Sequence, residues 1–159
     1  MDFKYLSMKS ILHIVLFEPE IPQNTGNIGR LCVGADCALH IIKPTRFRLD
    51  DTAVKRAGLD YWPLLNLSVH DSIDEIYQTF PRERIFLAST KVKNCYWDVA
   101  YQTEDVLIFG PESRGLPELL LNKYPDQGIR VPMSENIRSL NLSNTVGIVM
   151  YEALRQISL

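Results

Sequence analysis

The sequence predicts an α/β fold with a mostly parallel sheet flanked by helices. Short, continuous apolar runs such as Ile11–Phe17 and Val106–Phe109 are typical of strands buried on both faces. Segments with helical apolar spacing lie between these runs, and such alternation favours parallel pairing of the strands. No internal repeat, low-complexity tract or linker interrupts the 159 residues. We therefore expect a single domain, residues 1–159, in which residues 1–9 form a flexible extension.

The first half of the chain supplies three predicted strands and three predicted helices. The strand at Ile11–Phe17 is followed by a loop, because Glu18–Asn24 contains two prolines. Asn24 or Thr25 is suited to capping a helix that runs to about Cys37. The elements that follow are a strand at Ala38–Ile42, a short helix capped by Asp50 or Asp51 and ended by Gly58, a strand at Leu67–His70, and a helix capped by Asp71 that carries Ile73, Ile76, Tyr77 and Phe80.

The second half continues the alternation and ends in a long helix. The predicted elements are strands at Arg84–Ala88 and Val106–Phe109, a helix from Pro117 to Asn122, a short strand at Ile129–Val131 and a helix at Asn141–Ile157. The last helix has an apolar stripe that includes Leu142, Val146 and Val149. The turns in the last third of the chain are rich in Gly, Pro, Asn and Ser. In α/β sheets, ligands bind at turns beyond the carboxyl ends of the strands.

The composition is that of an ordinary globular protein, with 46% hydrophobic and 23% charged residues. No apolar run approaches the roughly 20 residues that a membrane-spanning helix needs. Lys4 and Lys9 precede a short apolar stretch, but Glu18 follows it and no small-residue cleavage site is present. We therefore expect a cytoplasmic protein with no secretory signal and no membrane contact.

The cysteines and histidines do not predict a metal site. Cys32, Cys37 and Cys95 are odd in number, and no pair has the short Cys-x-x-Cys spacing of a zinc or redox site. His13, His40 and His70 are scattered singly along the sequence. We expect the thiols to be buried as small apolar groups and no metal to be bound.

The charge balance limits how the chain could bind a nucleic acid. The net charge is −2 and the pI is about 5.9, whereas nucleic-acid-binding domains are often basic. Any RNA contact must therefore come from local basic clusters, which a dimer would double. The candidate clusters are Arg46 with Arg48, Lys55 with Arg56, Lys91 with Lys93, and Arg114 or Arg138.

Three segments carry more polar and glycine residues than a scaffold requires. Asn24–Arg30 opens a predicted helix, where exposed amide groups bind anions and glycine permits close approach; an ordinary glycine-rich helix start fits the same pattern. Gly110–Gly115 follows a buried strand and holds one carboxylate and one guanidinium, although an internal Glu112–Arg114 pair in a plain turn would also explain it. Arg130–Asn144 has many hydrogen-bonding groups ahead of a helix that needs only one cap.

Together these segments resemble the three motifs of the SPOUT methyltransferases, in the order N-T-G-N-I-G-R, F-G-P-E-S-R-G-L and R-V-P-M…R-S-L-N-L-S-N. The chain looks most like the small tRNA methyltransferases that modify the ribose of the wobble nucleotide, cytidine or modified uridine at position 34. The resemblance extends from about Ile11 to Ile157 and includes the Phe17–Pro22 and Arg56–Tyr61 stretches. It implies a homodimer and a C-terminal trefoil knot, which the strand-and-helix pattern alone does not reveal because knots are rare.

The resemblance also implies a cofactor site. In this family S-adenosylmethionine (AdoMet) is bound mainly by backbone groups of three loops, and it leaves as S-adenosylhomocysteine. Carried over to this sequence, the cofactor-binding residues are Ala88, Gly110, Val131, Ser139 and Leu140, with Asn141 or Ser143 as further contributors.

The same resemblance implies catalytic roles for Arg30, Glu112 and Asn141. No histidine lies in a motif, so the usual general base is missing. Because arginine almost never loses its proton, we expect Arg30 to orient the ribose 2′-hydroxyl and to stabilise the developing alkoxide. We expect Glu112 to position Arg30 or Arg114, and Asn141 to hold the motif loops together.

The resemblance implies that the RNA partner is the anticodon stem-loop of tRNA, and recognition of single-stranded loops by stacking and by base edges suits such a partner. Tyr61, Trp62, Tyr96 and Trp97 are candidates for stacking, although core packing also suits them, and Arg46, Arg48, Lys91 and Lys93 are candidates for phosphate contacts. Methylation of another RNA site and a non-catalytic RNA- or cofactor-binding module remain open. A nucleotide-dependent oxidoreductase is disfavoured, because Asn24–Arg30 lacks the third glycine of the dinucleotide fingerprint.

Overall fold

A computed structural model describes residues 10–50 and 52–158 of the chain. Six strands form one sheet in which all paired strands are parallel. In chain order they are β1 (His13–Phe17), β2 (Ala38–Ile42), β3 (Leu67–His70), β4 (Ile85–Ala88), β5 (Val106–Phe109) and β6 (Gly128–Ile129). Their order across the sheet is β3-β2-β1-β5-β4-β6. The predicted α/β class with a parallel sheet is therefore confirmed, whereas the expected extension at residues 1–9 lies outside the described residues.

The helices cover both faces of the sheet and make it a buried layer. They are α1 (Pro22–Gly34), α2 (Thr52–Gly58), α3 (Asp74–Thr79), α4 (Glu118–Lys123) and α5 (Leu142–Ser158). One apolar cluster joins alternate strand residues to Ile28 of α1 and Val146 of α5, and a second joins the opposite face to Ile76 of α3 and Leu121 of α4. Because both faces are covered, every residue of β2 and β5 is buried.

Two predicted helix starts are wrong, for different reasons. α1 begins at Pro22, with Ile21 at the N-cap, and not at a cap formed by Asn24 or Thr25. Proline is well suited to the first helical position because its fixed φ is helical and its missing N–H would be unpaired there anyway. Asn24 therefore lies within the first turn of the helix, where its side chain is available for tertiary contacts.

The predicted cap of α3 by Asp71 is also wrong. Ile73 is at the N-cap position of this helix, and the Ser72 hydroxyl accepts a hydrogen bond from the Asp74 amide at 3.1 Å. The carboxylate of Asp71 is instead 2.7 Å from the Lys43 ammonium. Asp71 therefore forms an ion pair with Lys43 from a neighbouring loop and does not cap α3.

The remaining boundaries shift by a few residues. β4 begins at Ile85 and not at Arg84, because the Arg84 guanidinium turns to the buried Asp105 carboxylate at 2.6 Å. β6 ends at Ile129, two residues before the predicted end, and Arg130 forms only an isolated bridge with Cys95. α4 and α5 each begin one residue after the predicted start.

The three histidines, distant in sequence, meet on adjacent strands. His13 Nδ1 is 3.0 Å from His40 Nε2, and His40 Nδ1 is 2.9 Å from His70 Nε2. The row ends where His70 Nδ1 donates to a carboxylate oxygen of Glu75, at 2.9 Å. Burial, followed by the neighbouring imidazoles, lowers the pKa of His40 to about 4. We name these three residues with Glu75 the histidine row.

Cys32 and Cys37 are buried, as expected, and Cys95 is partly buried. Burial raises the pKa of the Cys37 thiol to about 11. Within residues 10–50 and 52–158, no group of three or more His, Cys, Asp or Glu side chains is arranged to hold a metal ion. No helix in the same part of the chain is long and apolar enough to cross a membrane.

Candidate active site

A pocket of about 440 Å³ lies at the carboxyl ends of β4, β5 and β6. Its walls come from the turns that follow Ala88 and Phe109, from the loop between β6 and α5, and from the first turn of α1. Residues 131–141 of that loop belong to no strand or helix, so regular structure does not occupy their backbone N–H and C=O groups. The pocket therefore combines the size of a small-molecule site with the polar backbone edges that could recognise a nucleoside.

Gly110 allows the turn after β5 to close tightly. A Cβ atom at this position would lie 2.3 Å from the backbone nitrogen of Leu116 and 2.4 Å from the carbonyl carbon of Gly115. Gly115 itself has a φ of +69°, which lies in the left-handed region that favours glycine. The two glycines thus let the chain fold back on itself and place Glu112 and Ser113 beside α1.

Glu112 binds the N-terminus of α1. Its two carboxylate oxygens accept hydrogen bonds from the backbone amides of Glu20 at 2.8 Å and Ile21 at 3.0 Å. Oε1 also accepts from the side-chain amide of Asn24 at 3.2 Å. A carboxylate is favoured here because the first amides of a helix lack partners within the helix and carry partial positive charge.

These contacts differ from those expected for Glu112. The recorded contacts of Arg114 and Arg30 do not include Glu112, because Arg114 pairs with Glu18 and Arg30 stacks on an aromatic ring. The alternative of an internal Glu112–Arg114 pair is likewise wrong. In the described structure, the Glu112 carboxylate holds two loops together and does not position a guanidinium.

Glu20, in the loop before α1, binds the turn after β5. Its carboxylate accepts from both the amide and the hydroxyl of Ser113, at 3.1 and 2.6 Å, and it lies 3.2 Å from Arg46. The hydrogen bonds from Ser113, more than the two nearby arginines, lower the pKa of Glu20. Each of the two loops therefore presents a carboxylate to backbone amides of the other, which fixes their relative position.

Asn141 connects the third segment to the other two. Its Nδ2 donates to Asn24 Oδ1 at 3.1 Å, and Asn24 Nδ2 in turn donates to Glu112. Asn141 Oδ1 also accepts from the Ser143 hydroxyl at 2.6 Å and the Asn144 amide at 3.2 Å. The latter contact caps the N-terminus of α5. We name the series Glu112–Asn24–Asn141 the amide chain; it joins all three segments by side-chain hydrogen bonds.

Asn24 was not among the predicted site residues, although it was considered as a helix cap and as the start of the Asn24–Arg30 segment. It is 5% exposed and forms the middle of the amide chain. The available signal was its place as the first residue of the Asn24–Arg30 segment, but its partners lie 88 and 117 residues away along the chain. Local sequence patterns carry no information about such partners.

The structure brings most of the predicted site residues to one place and leaves one outside. The pocket is lined by seven of the eight predicted residues: Ala88, Gly110, Glu112, Val131, Ser139, Leu140 and Asn141. Arg30 does not line it; its guanidinium lies 5.1 Å from the centre of the Tyr61 ring. The functional roles of all eight residues stay predictions.

The candidate RNA-binding residues differ widely in exposure. Trp62 packs on α1, since a Cβ at Gly29 would lie 2.9 Å from its ring, whereas Tyr61 and Trp97 are exposed. The four candidate cations are exposed, but Arg46, Arg48 and Lys91 are each paired with a carboxylate, of Glu20, Asp50 and Glu118 respectively. Phosphate contacts through those three would require the pairs to open.

A family model described as the SpoU rRNA Methylase family matches residues 11–151. A protein of Escherichia coli strain K12 named tRNA (cytidine(34)-2′-O)-methyltransferase is 47% identical over 148 residues, which cover 92% of this chain and 94% of that protein. A Yersinia pestis protein of the same name is 47% identical over 154 residues, with the same coverage of 92% and 94%.

Solved structures agree with these sequence matches. A structure concerned with the 2-OH methylation of C/U34 on tRNA has a TM-score of 0.86 at 44% identity and covers 91% of this chain and 95% of that one. An AdoMet-bound rRNA methyltransferase from Sinorhizobium meliloti has a TM-score of 0.81 at 22% identity and covers 92% of this chain and 57% of that one. The second comparison, at this low identity, concerns the fold alone.

Proposed function

The chain belongs to the SpoU rRNA methylase family, and on that premise we propose that it is an AdoMet-dependent tRNA methyltransferase. The proposed acceptor is the ribose 2′-hydroxyl of nucleotide 34, a cytidine or a modified uridine, in the anticodon loop. S-Adenosylhomocysteine is the proposed second product. The observation that carries the proposal is the pocket built from all three motif segments, in a chain whose relatives over more than nine-tenths of its length have this named activity.

The residues around the pocket fit AdoMet. Apolar side chains of Val131, Leu140 and Leu116 lie on its walls and suit an adenine ring, while the backbone at Ala88 and Gly110 offers hydrogen-bonding groups. Ser139, in the loop before α5, adds a hydroxyl. When bound, AdoMet supplies an electrophilic methyl group carried on a sulfonium. We assign the cofactor-binding role to Ala88, Gly110, Val131, Ser139 and Leu140.

Three further residues carry the proposed chemistry. Arg30 orients the 2′-hydroxyl and stabilises the negative charge that grows on its oxygen as the proton leaves. Glu112 and Asn141 act through Asn24, because the amide chain keeps the pocket loops in one arrangement. No histidine lines the pocket among the described residues, and the proton acceptor that we propose is an RNA phosphate.

We further propose that the protein works as a homodimer in the cytoplasm. Arg30 lies outside the pocket of its own protomer, so we propose that it acts at the pocket of a second protomer. Ile148 and Tyr151 support an interface on α5, because they are 37% and 52% exposed and lie one turn apart.

We also propose that the C-terminal segment, from β6 through α5, is threaded as a trefoil knot. The position of the loop before α5, which reaches α1 through the Asn141–Asn24 hydrogen bond, supports this proposal. A knotted chain pulled from both termini should stop short of the contour length expected for 159 residues. Extension to the full length would contradict the knot.

Labelled AdoMet and bulk tRNA test the proposed function directly. We expect the label at the 2′-oxygen of nucleotide 34, located by nuclease digestion and mass spectrometry, and its loss when tRNA carries a 2′-methoxy group at that position. Label at another nucleotide would keep the chemistry and overturn the substrate. AdoMet binding without any transfer to tRNA would instead identify a non-catalytic module.

A further inference from the structure

Arg30 is held in place by one neighbour. Within the described part of the chain, its side chain forms no hydrogen bond and no ion pair, and its recorded contact is with the ring of Tyr61 at 5.1 Å. An exposed arginine loses rotamer entropy when it is fixed in one conformation. A guanidinium intended to meet a hydroxyl during a reaction therefore benefits from a support that restricts it beforehand.

The Tyr61 ring is itself fixed to the helix that carries Arg30. Tyr61 belongs to the 3₁₀ segment Leu59–Leu64, which packs along α1. The anchor is Trp62, whose ring lies so close to Gly29 that a Cβ there would be 2.9 Å from it. Gly29 directly precedes Arg30, and Tyr61 directly precedes Trp62. The close contact between Gly29 and Trp62 therefore also fixes the position of the Tyr61 ring relative to the Arg30 guanidinium.

We propose that Tyr61 is a positioning residue for Arg30 in the methyl-transfer reaction. This inference rests on the proposed function, and specifically on the role assigned to Arg30. The Tyr61 ring lies against one face of the guanidinium and Arg30 is exposed, so the ribose and its phosphate can still reach the cation. A planar, delocalised cation stacks on such a ring without giving up its N–H donors, and the donors stay free for the substrate.

The chemistry predicts which substitutions preserve the function. The stacking depends on the π-face and not on the phenolic hydroxyl, so Tyr61→Phe should retain it and Tyr61→Leu should lose it. A cation–π contact at an exposed site corresponds to about a two- to fivefold effect on an equilibrium or a rate. The loss should appear in kcat, because the contact prepares the reacting group, while the KM for tRNA stays within about twofold.

A double-mutant cycle under single-turnover conditions tests the inference. The variants are Tyr61→Leu, Tyr61→Phe, Arg30→Ala and the combination of Tyr61→Leu with Arg30→Ala, each checked for thermal unfolding. Leu64→Ala is the matched control, because Leu64 lies in the same 3₁₀ segment, is 72% exposed and has no ring to offer. We expect Tyr61→Leu to slow methylation about two- to fivefold with Arg30 present and not at all in its absence. Tyr61→Phe and Leu64→Ala should retain the wild-type rate.

The outcomes separate this inference from the proposed function. An equal loss from Tyr61→Leu in both backgrounds would indicate contact with RNA and would overturn the positioning role. No loss at all, or an equal loss in Tyr61→Phe, would also overturn it. Retained methylation in Arg30→Ala alone would remove Arg30 from catalysis, and Tyr61 with it. If the Arg30→Ala rate is too low to measure, the order parameter of the Arg30 Nε–Hε bond by NMR decides, and it should fall in Tyr61→Leu and not in Tyr61→Phe.

Discussion

Asn24 connects two loops of the pocket, because both the NH2 group and the oxygen of its side-chain amide form hydrogen bonds. The NH2 group donates to Glu112 and the carbonyl oxygen accepts from Asn141, in a position that is 5% exposed. Removal of this side chain takes one donor from Glu112 and one acceptor from Asn141, and a polar group costs about 1–3 kcal/mol where it is left buried and unsatisfied. No other residue type of this size both donates and accepts in this geometry.

We therefore expect Asn24→Asp to be more harmful than Asn24→Ala. Aspartate keeps the acceptor for Asn141 but places a second carboxylate where the amide now lies 3.2 Å from Glu112. Both variants should lose more than about tenfold in methylation rate, and the aspartate should unfold at the lower urea concentration. Equal stability of the two variants would show that the Glu112 contact contributes little.

Asn141 combines two functions that substitution can separate. It caps α5 through its side-chain oxygen and reaches Asn24 through its nitrogen. Aspartate retains the oxygen and loses the nitrogen, whereas alanine loses both. Asn141→Ala should cost about 1 kcal/mol of stability through the lost cap, and Asn141→Asp should cost less than about half of that.

The methylation rate should depend on the hydrogen bond from Asn141 to Asn24. Asn141→Ala and Asn141→Asp both lose this bond, so both should methylate slowly. Urea unfolding followed by circular dichroism gives the stability, and a single-turnover assay gives the rate. A fast Asn141→Asp enzyme would mean that the cap, and not the link to Asn24, is what the reaction needs.

The histidine row makes the strands β1, β2 and β3 sensitive to acid. The pKa of His40 is about 4, against 6.5 for an exposed histidine. Because the unfolded chain takes up this proton more readily, stability is present above pH 6.5 and declines as the pH falls towards 4. The His13 pKa is also lowered by burial, while the nearby Glu104 opposes that shift. Glu75, at the other end of the row, has its pKa lowered mainly by its hydrogen bond with His70 and so also favours the higher pH.

Measured by urea unfolding, the wild-type chain should lose up to about 3 kcal/mol between pH 6.5 and pH 4. His40→Gln keeps a donor and an acceptor but does not titrate, so its stability should change less over the same interval. Parallel curves for the two proteins would show that His40 is not the group responsible.

Helix starts show where local patterns mislead. Asn24, Thr25 and Asp71 all have good capping side chains, and each was expected at a cap. Pro22 begins α1 earlier, and Asp71 pairs with Lys43 from another loop. When another residue binds the first amides of a helix, a side chain suited to capping can form tertiary contacts instead. Which residue binds those amides depends on contacts with distant parts of the chain.

The proposed dimer can be tested by mixing two inactive chains. Arg30→Ala removes the guanidinium and leaves the pocket, whereas Asn141→Ala disturbs the pocket and leaves the guanidinium. If Arg30 acts on AdoMet held by the second protomer, mixed dimers contain one site in which both residues are intact. Unfolding the two variants together and refolding them should therefore restore methylation.

The controls are each variant refolded alone and the wild-type chain refolded under the same conditions. Sedimentation velocity verifies that dimers form. No recovery, despite mixed dimers, would place Arg30 and the pocket in the same protomer.

The sequence predicted the class of fold and most of the element positions, because these follow from periodicity and composition. β2, β3 and β5 have the predicted bounds, and β2 and β5 are apolar runs while β3 alternates apolar and polar residues. The strand order β3-β2-β1-β5-β4-β6 was not predictable in this way, since the pattern of a strand does not specify which strands are its neighbours. The meeting of His13, His40 and His70 follows from that order, and it was missed for the same reason.

In the candidate site too, the sequence identified residues but not the contacts between them. Ala88, Gly110 and Val131 carry no distinctive side-chain chemistry and were found through the family resemblance, whereas Glu112 and Asn141 stood out as polar groups beside turns. What failed was the choice of their partners. Glu112 receives backbone amides about 90 residues away, and backbone groups are present at every position of a sequence.

The amide chain has a consequence for synthesis of the protein. Asn24 and Asn141 are separated by 117 residues, so at typical rates of about 5–20 residues per second the ribosome produces the second roughly 6 to 23 s after the first. During that interval α1 and the first strands have already left the tunnel, while the polar side chain of Asn24 waits without its partner. The methyl-donor pocket is consequently a late product of translation, and a chain released before Asn141 emerges would have a nearly complete sheet but no working site.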